Sequence, residues 1–174
     1  SGKPKTFVIS GAPPPSGAEE RLSGQVVNDD HFLKEMAAAG AANYLDCVGL
    51  HFLSGTTSPK DTRGSTLSGY HYSYYFSSMV DTYYKAFNGA RPLCFTELGY
   101  LSPQGIEVDW TRSREFRWAA KITAAQQAQW LTEAAELVAD DDKIWLMMIY
   151  LVAYSRIDHW TAGYAILRPD GSCP

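Results

Sequence analysis

The chain has little positive charge and no cluster of it. Its 15 lysine and arginine residues are outnumbered by 19 acidic residues, which gives a formal net charge of -4. Nucleic acids and anionic membrane surfaces attract clustered positive charge, so we expect neither as a partner. No apolar run reaches the roughly 18 residues of a membrane span. The longest candidate, IWLMMIYLVAY, has the length of a buried strand.

Cysteine and the usual cofactor motifs are also scarce. The three cysteines, Cys47, Cys94 and Cys173, lie far apart, and two of them fall in apolar runs where a thiol behaves as a small hydrophobic group. We therefore predict no disulfide framework and no zinc site. No phosphate-binding loop, metal-spaced cluster or G-x-S-x-G elbow occurs, which argues against a cofactor and against a serine hydrolase.

What the chain does have is enough apolar sequence for a core. Of its 174 residues 45% are hydrophobic and 20% charged, as expected for a soluble globular protein with one domain over residues 1–174. No signal peptide is visible. Ser1 and Gly2 resemble the remnant of a removed tag, so the location of a parent protein stays open.

Apolar runs and helical patterns alternate along the chain. We predict strands at residues 5–11, 46–52, 92–100 and 143–154. Amphipathic helices are predicted from Asn28 or Asp29 towards Tyr44, from about Phe76 to Asn88, and from a capping box formed by Thr123 and Gln126. Continuous apolar strands separated by helices are typical of a parallel sheet covered by helices, so the predicted class is α/β.

The loops favour a (β/α) barrel over a doubly wound sheet. Long loops with His, Tyr, Trp and Asp follow the strands, whereas short loops follow the helices, and barrel enzymes place their functional loops at the carboxyl ends of strands. Four units are half of the eight that a barrel needs, so we predict a half-barrel with its helices outside. Its open edges and apolar inner face predict a second copy or a complementing half-barrel as partner. A self-contained four-stranded α/β sandwich is the alternative.

Three segments carry a family resemblance: CVGLHF, RPLCFTELGY and the strand ending WLMMIYLVAY. They resemble the sixth, seventh and eighth strands of the retaining (β/α)8 glycoside hydrolases of the clan with cellulases, mannanases and β-glycosidases. The resemblance covers most of the chain. It implies that Glu97 is the nucleophile and that His51 is the histidine supporting it.

The chain departs from that clan in several places. Retaining hydrolysis needs a second carboxyl group about 5 Å from the nucleophile, and the Asn-Glu pair that carries it in the clan does not occur here. Leu53 stands where the clan has a tyrosine, and Tyr150 where it has a tryptophan. The strand ends are thus more apolar than in the clan. Because the chain lacks the second carboxyl group, we expect weak or no hydrolysis by this chain alone.

Other residues of the strand-end loops are candidates for ligand binding. Trp110, Trp118 and Trp160 are potential stacking platforms for a carbohydrate, and the cluster GYHYSYYF suggests either such a platform or packing at a helix start. His51 either orients Glu97 or is a satisfied core histidine. The full predicted substrate-binding set is Tyr150, Trp118, Trp160, Tyr72, Tyr100, Lys121 and His159.

Two further functions stay open. An engineered barrel scaffold with an apolar pocket would suit a non-native reaction or small-molecule ligand, because desolvation raises the pKa of a carboxylate and makes Glu97 a better base. Lys121 would then serve as a Schiff-base amine, or His159 as a base. The other possibility is a non-catalytic half-barrel that associates with itself.

Overall fold

The computed structural model describes residues 6–110, 115–156 and 159–173. It contains an open sheet of three parallel strands in the order β1-β2-β3, which confirms the predicted α/β class. The strands are β1 (Val48–Phe52), β2 (Leu93–Leu98) and β3 (Ile144–Ile149). The helices are α1 (Asp29–Ala38), α2 (Phe76–Ala86) and α3 (Ala124–Asp140). Four short 3-10 helices lie at Ala41–Asn43, Tyr72–Tyr74, Arg117–Ala119 and Trp160–Tyr164.

The helix boundaries follow local sequence signals. The capping box predicted at the start of α3 is present: Thr123 accepts a hydrogen bond from the backbone of Gln126, and the Gln126 side chain accepts one from the backbone of Thr123. Beyond the end of α2, Asn88 and Gly89 have φ angles of 55° and 64°. Asparagine and glycine tolerate this left-handed conformation best, so the chain leaves the helix there.

The core lies between the sheet and the helices. Phe76 of α2 stacks on Phe95 of β2 at a ring distance of 5.2 Å and meets Phe52 of β1 edge-on at 5.8 Å. All three rings are buried. Alternate residues of a strand face the same side, so Leu50 and Phe52 of β1 both point into this layer.

The predicted first strand is reduced to a single parallel bridge between Ile9 and Cys47. The Ser10 hydroxyl, rather than a backbone carbonyl, accepts the hydrogen bond of the Gly49 amide at 2.9 Å. A Cβ on Gly49 would lie only 2.4 Å from the Ser10 carbonyl oxygen, so glycine permits this close approach. Among the described residues three strands thus stand in place of the four predicted, and residue 5 of the predicted first strand lies outside them.

The absence of a disulfide was a wrong prediction, because Cys47 and Cys94 are bonded to each other. Both residues are fully buried. Cys94 pairs with Gly49 in the parallel register, which sets Cys47 beside it on the neighbouring strand. The separation of 47 positions along the chain concealed this proximity, since only strand pairing brings the two apolar runs together.

A buried polar network ties α3 to the loops around it. The Gln127 amide donates to the carbonyl oxygens of Tyr100 at 2.6 Å and Gly163 at 3.0 Å, and Arg168 donates to the Gln127 side-chain oxygen. Burial lowers the pKa of Arg168. None of the helices among the described residues has the length and apolar character that crossing a bilayer needs.

Candidate functional site

The carboxyl ends of the three strands bring together an acid, an imidazole and a phenol, the side-chain types best suited to catalysis or ligand binding. His51 is the fourth residue of β1, Glu97 is the fifth of β2, and Tyr150 follows β3 directly. His51 Nδ1 lies 3.5 Å from Glu97 Oε2, and the two side chains are 31% and 34% exposed. The two residues to which the family resemblance assigns the roles of nucleophile and supporting histidine are therefore neighbours, and both side chains are partly exposed.

A bulge in β2 decides which way Glu97 points. Leu50 pairs with Phe95, but His51 pairs with Glu97, so Thr96 is the extra residue between the two pairs. In a regular strand Glu97 would face the same side as Phe95, which is the apolar layer under α2. The bulge instead aligns Glu97 with His51 and returns Leu98 to the buried side.

An aromatic wall, formed by Phe116, Tyr150, Trp160 and Tyr164, stands beside this pair. The rings of Tyr150 and Tyr164 meet edge-on at 5.5 Å, Trp160 lies 6.2 Å from Tyr164, and Phe116 stacks on Trp160 at 4.0 Å. The Tyr164 hydroxyl donates to the carbonyl oxygen of Leu53 at 2.7 Å, which ties the wall to the end of β1.

Glycine at position 99 allows the wall to approach β2. A Cβ there would lie 2.3 Å from the carbonyl oxygen of Tyr150 and 3.0 Å from the ring of Tyr164. Any side chain would push these two tyrosines away from Glu97. The peptide bond between Tyr150 and Leu151 is cis.

The wall tyrosines lie within the field of the Glu97 carboxylate. Burial raises the pKa of the Tyr150 hydroxyl, and the charges of Glu97 and Tyr154 raise it further. Burial likewise raises the pKa of Tyr164, with smaller contributions from Tyr150 and Glu97. Both hydroxyls therefore keep their protons across the physiological range and can act as hydrogen-bond donors.

The structure places some of the other predicted site residues close to the wall. Trp160 is part of it, and His159 lies next to it, with its ring 5.3 Å from that of Trp160. The His159 Nδ1 atom accepts a hydrogen bond from the Thr161 amide at 3.2 Å, so this ring also caps a 3-10 helix. Trp118 lines a separate cleft.

Besides Trp118, four predicted residues are not brought to Glu97: Lys121, Tyr72, Tyr100 and Trp110. Lys121 is exposed just before the capping box of α3, in a position without the burial that a Schiff-base amine requires. Tyr72 and Tyr83 both donate to the buried Asp29 at the start of α1. Tyr100 is buried in the core between Phe52 and Trp130, and Trp110 is also buried.

Sequence inspection missed three aromatic residues near the site: Phe116, Tyr154 and Tyr164. Tyr164 belongs to a short 3-10 helix, which has no hydrophobic periodicity by which it could be recognised. Phe116 lies in a long loop, and only its stacking on Trp160 brings it to the wall. Their position after the second and third strands was the available signal, because such loops gather at one edge of a parallel sheet.

The site offers one ionisable acid with an imidazole beside it and the two tyrosine hydroxyls, of Tyr150 and Tyr164, that keep their protons. In the part of the chain that the structure describes, no group of three or more His, Cys, Asp or Glu side chains could hold a metal ion. Chemically, Glu97 can act as a nucleophile or as a base. No family model, curated protein or solved structure matches this chain.

Proposed function

We propose that this chain carries the nucleophile side of a retaining glycoside hydrolase site, in the carboxyl-terminal half of a (β/α) barrel. The observation that carries the proposal is the pairing of Glu97 with His51 at the carboxyl ends of neighbouring parallel strands, with the Glu97 side chain 34% exposed. Barrel enzymes build their active sites at this edge.

The chemistry assigned to Glu97 is attack on the anomeric carbon of a sugar. One carboxylate oxygen forms a bond to that carbon while the bond to the leaving oxygen breaks, and water later hydrolyses the glycosyl-enzyme ester. His51 positions the carboxylate through the 3.5 Å contact between its Nδ1 atom and Glu97 Oε2. The aromatic wall supports a sugar ligand, because the apolar face of a pyranose packs well on flat rings.

The acid that protonates the leaving oxygen would come from outside this half-barrel. A carboxyl group about 5 Å from Glu97 is needed for that step, and a second copy or a complementing half-barrel is the proposed source. For the chain alone we expect the first chemical step with good leaving groups, and little turnover of ordinary glycosides.

Activated fluorosugars test the nucleophile directly. In a 2-deoxy-2-fluoroglycoside with a dinitrophenolate leaving group, the leaving oxygen departs as an anion and needs no acid. We expect a covalent adduct, detected by mass spectrometry of the intact protein and located at Glu97 by peptide mapping. Gluco, manno, xylo and galacto versions cover the sugar stereochemistry.

Two variants show whether the adduct depends on Glu97. Glu97→Gln should abolish the adduct, whereas Glu107→Gln, which changes an exposed acid in the loop after β2, should leave it unchanged. An adduct that persists in Glu97→Gln, or the absence of an adduct from every sugar of the series, would contradict the proposal.

A second candidate is a non-catalytic, self-associating half-barrel. It is favoured by the exposed apolar side chains of β3, where Trp145 is 61% and Met148 is 46% exposed, and by Phe7, which is 50% exposed and stacks on Trp145 at 6.3 Å. Sedimentation equilibrium of the wild type and of Trp145→Glu tests it. A dimer that the variant dissociates supports self-association, and a concentration-independent monomer rejects it.

A further inference from the structure

A second concave site lies on the same edge of the molecule as Glu97. It is a cleft of about 570 Å³, within the roughly 300–1,000 Å³ typical of small-molecule sites. Its wall includes three aromatic side chains and several polar ones, among them Tyr70, His71, Tyr74, Glu115 and Trp118. We name it the Tyr70 cleft.

Tyr70 is held rigidly with one ring face available. Its ring stacks on Tyr75 at 5.5 Å with an interplanar angle of 18°, and its hydroxyl shares a hydrogen bond with Ser78 at 3.1 Å. Tyr75 is itself buried, yet Tyr70 is 70% exposed. An exposed aromatic ring fixed at both its face and its tip is a ready platform, because little side-chain freedom is lost when a ligand stacks on it.

The polar groups of the cleft suit a neutral ligand with many hydroxyls. His71 Nδ1 is engaged by the Ser73 hydroxyl at 2.8 Å, which fixes the imidazole in the wall. The Glu115 carboxylate accepts hydrogen bonds and repels anions. No Lys or Arg occurs among the described lining residues.

The cleft and the Glu97 site share structural elements. Ser54 lines the cleft and directly follows Leu53, whose carbonyl oxygen receives the Tyr164 hydroxyl. On the other side, Glu115 of the cleft precedes Phe116, which stacks on Trp160 of the aromatic wall. The loops after β1 and β2 therefore contribute to both the cleft and the surroundings of Glu97.

We infer that the Tyr70 cleft is a binding subsite for a neutral oligosaccharide, with Tyr70 and Trp118 as stacking platforms. That the ligand is a sugar rests on the proposed function. The inference deepens that function by adding a subsite remote from the reacting bond. It also gives a role to the GYHYSYYF segment, of which Tyr72 is committed to Asp29.

Saturation-transfer NMR tests the subsite with short β-linked gluco-, manno- and xylo-oligosaccharides. We expect at least one of them to bind the wild-type chain. Tyr70→Ala should weaken that binding about tenfold, as the loss of one aromatic stacking contact predicts. Tyr70→Phe, which keeps the ring, should retain most of the affinity. Tyr44→Ala is the matched control, because Tyr44 is 80% exposed and does not line the cleft.

The outcomes separate this inference from the proposed reaction. Glu97→Gln should bind the oligosaccharide as well as the wild type, although it forms no fluorosugar adduct. Binding that Tyr70→Ala and Trp118→Ala weaken, even where no adduct forms, supports the subsite. No binding by any of the oligosaccharides, or binding that both variants leave unchanged, overturns it. Binding of cationic aromatic or ammonium compounds alone, without any oligosaccharide, also overturns the inference.

Discussion

Two polar centres of this protein, one around Gln127 and one around Glu97, differ in how completely their atoms are used. Gln127 is 1% exposed, and its amide group makes three hydrogen bonds, to Tyr100, Gly163 and Arg168. Glu97 is 34% exposed, and among the described ion pairs it approaches one partner, His51, at 3.5 Å. The first centre stabilises the fold, while the second keeps hydrogen-bonding capacity that the fold does not use.

The contrast shows why a polar residue in an apolar segment has no single interpretation. A buried polar group needs all its partners, because each missing hydrogen bond leaves a desolvated atom. A partly exposed group at the end of a strand has water as an alternative partner and can exchange it for a substrate. Stability variants should therefore respond strongly at the first centre and weakly at the second.

The largest stability effect should come from the disulfide in the strands beneath Glu97. Replacing Cys47 and Cys94 together with alanine releases a loop of 47 residues in the unfolded chain. The expected loss is about 4 kcal/mol in the free energy of unfolding, measured by denaturant titration. Cys173→Ala is the control, since Cys173 is exposed and outside the disulfide. Equal stability of the double variant and the wild type would show that this bond does not hold β1 to β2.

A smaller but still large effect is expected at Gln127. Gln127→Leu leaves the carbonyl oxygens of Tyr100 and Gly163 and the Arg168 guanidinium without their partner, at a cost of about 2–3 kcal/mol. Glu97→Gln should change the free energy of unfolding by less than about 0.5 kcal/mol, because substitutions of exposed residues outside buried networks usually have effects no larger than this. Similar losses in the two variants would remove the distinction between the two centres.

His51 should affect the reaction more than the fold. Among the described ion pairs, Glu97 has one partner, His51, at 3.5 Å. His51→Ala removes this contact, which orients the carboxylate. We expect fluorosugar adduct formation to slow about tenfold at saturation, with an unchanged half-saturating concentration and a melting temperature near that of the wild type. A large drop in melting temperature would instead mark His51 as a core histidine.

The smallest effect is expected at an exposed pair far from either centre. The hydrogen bond to Glu19 raises the pKa of His31 above its ordinary 6.5, and hydrogen bonds from Asn28 and His31 lower the pKa of Glu19 below 4.5. Protonation of His31 and ionisation of Glu19 both favour the folded state. This contribution is lost as pH rises through the folded pKa of His31 and as pH falls through that of Glu19.

Proton NMR titration of His31 checks this pair. Its pKa should exceed 6.5 in the wild type and return towards that value in Glu19→Gln. Lys34→Gln is the control, because Lys34 pairs with Asp30 on the same helix instead. An unchanged His31 pKa in Glu19→Gln would show that the 2.8 Å contact does not persist in solution.

Much of the architecture was predictable from local patterns. The three helices, the three main strands and the capping box at Thr123 appear where periodicity and turn residues indicated. The first predicted strand formed only one bridge, because the Gly49 amide donates to the Ser10 hydroxyl instead of to a backbone carbonyl. The half-barrel, the hydrolase activity and the engineered-scaffold alternative stay predictions.

The candidate site was predictable only in its centre. Glu97 and His51 could be paired through a family resemblance, but Tyr164 and Phe116 could not be assigned to the site from sequence. Their loops lack periodicity, and their contacts join segments far apart in the chain. Long-range contacts also explain why two predicted residues lie away from Glu97. Tyr72 donates a hydrogen bond to Asp29, and Tyr100 packs in the core against Trp130.

The sequence by itself determined the alternation of strands and helices, because periodicity and capping are interactions between near neighbours. It also determined that an acid would stand near the end of an apolar strand. Only the tertiary structure decided where that acid points, since the bulge at Thr96 depends on pairing with β1. The same pairing brought Cys47 to Cys94. Both outcomes depend on which strands lie side by side, and contacts between distant segments decide that.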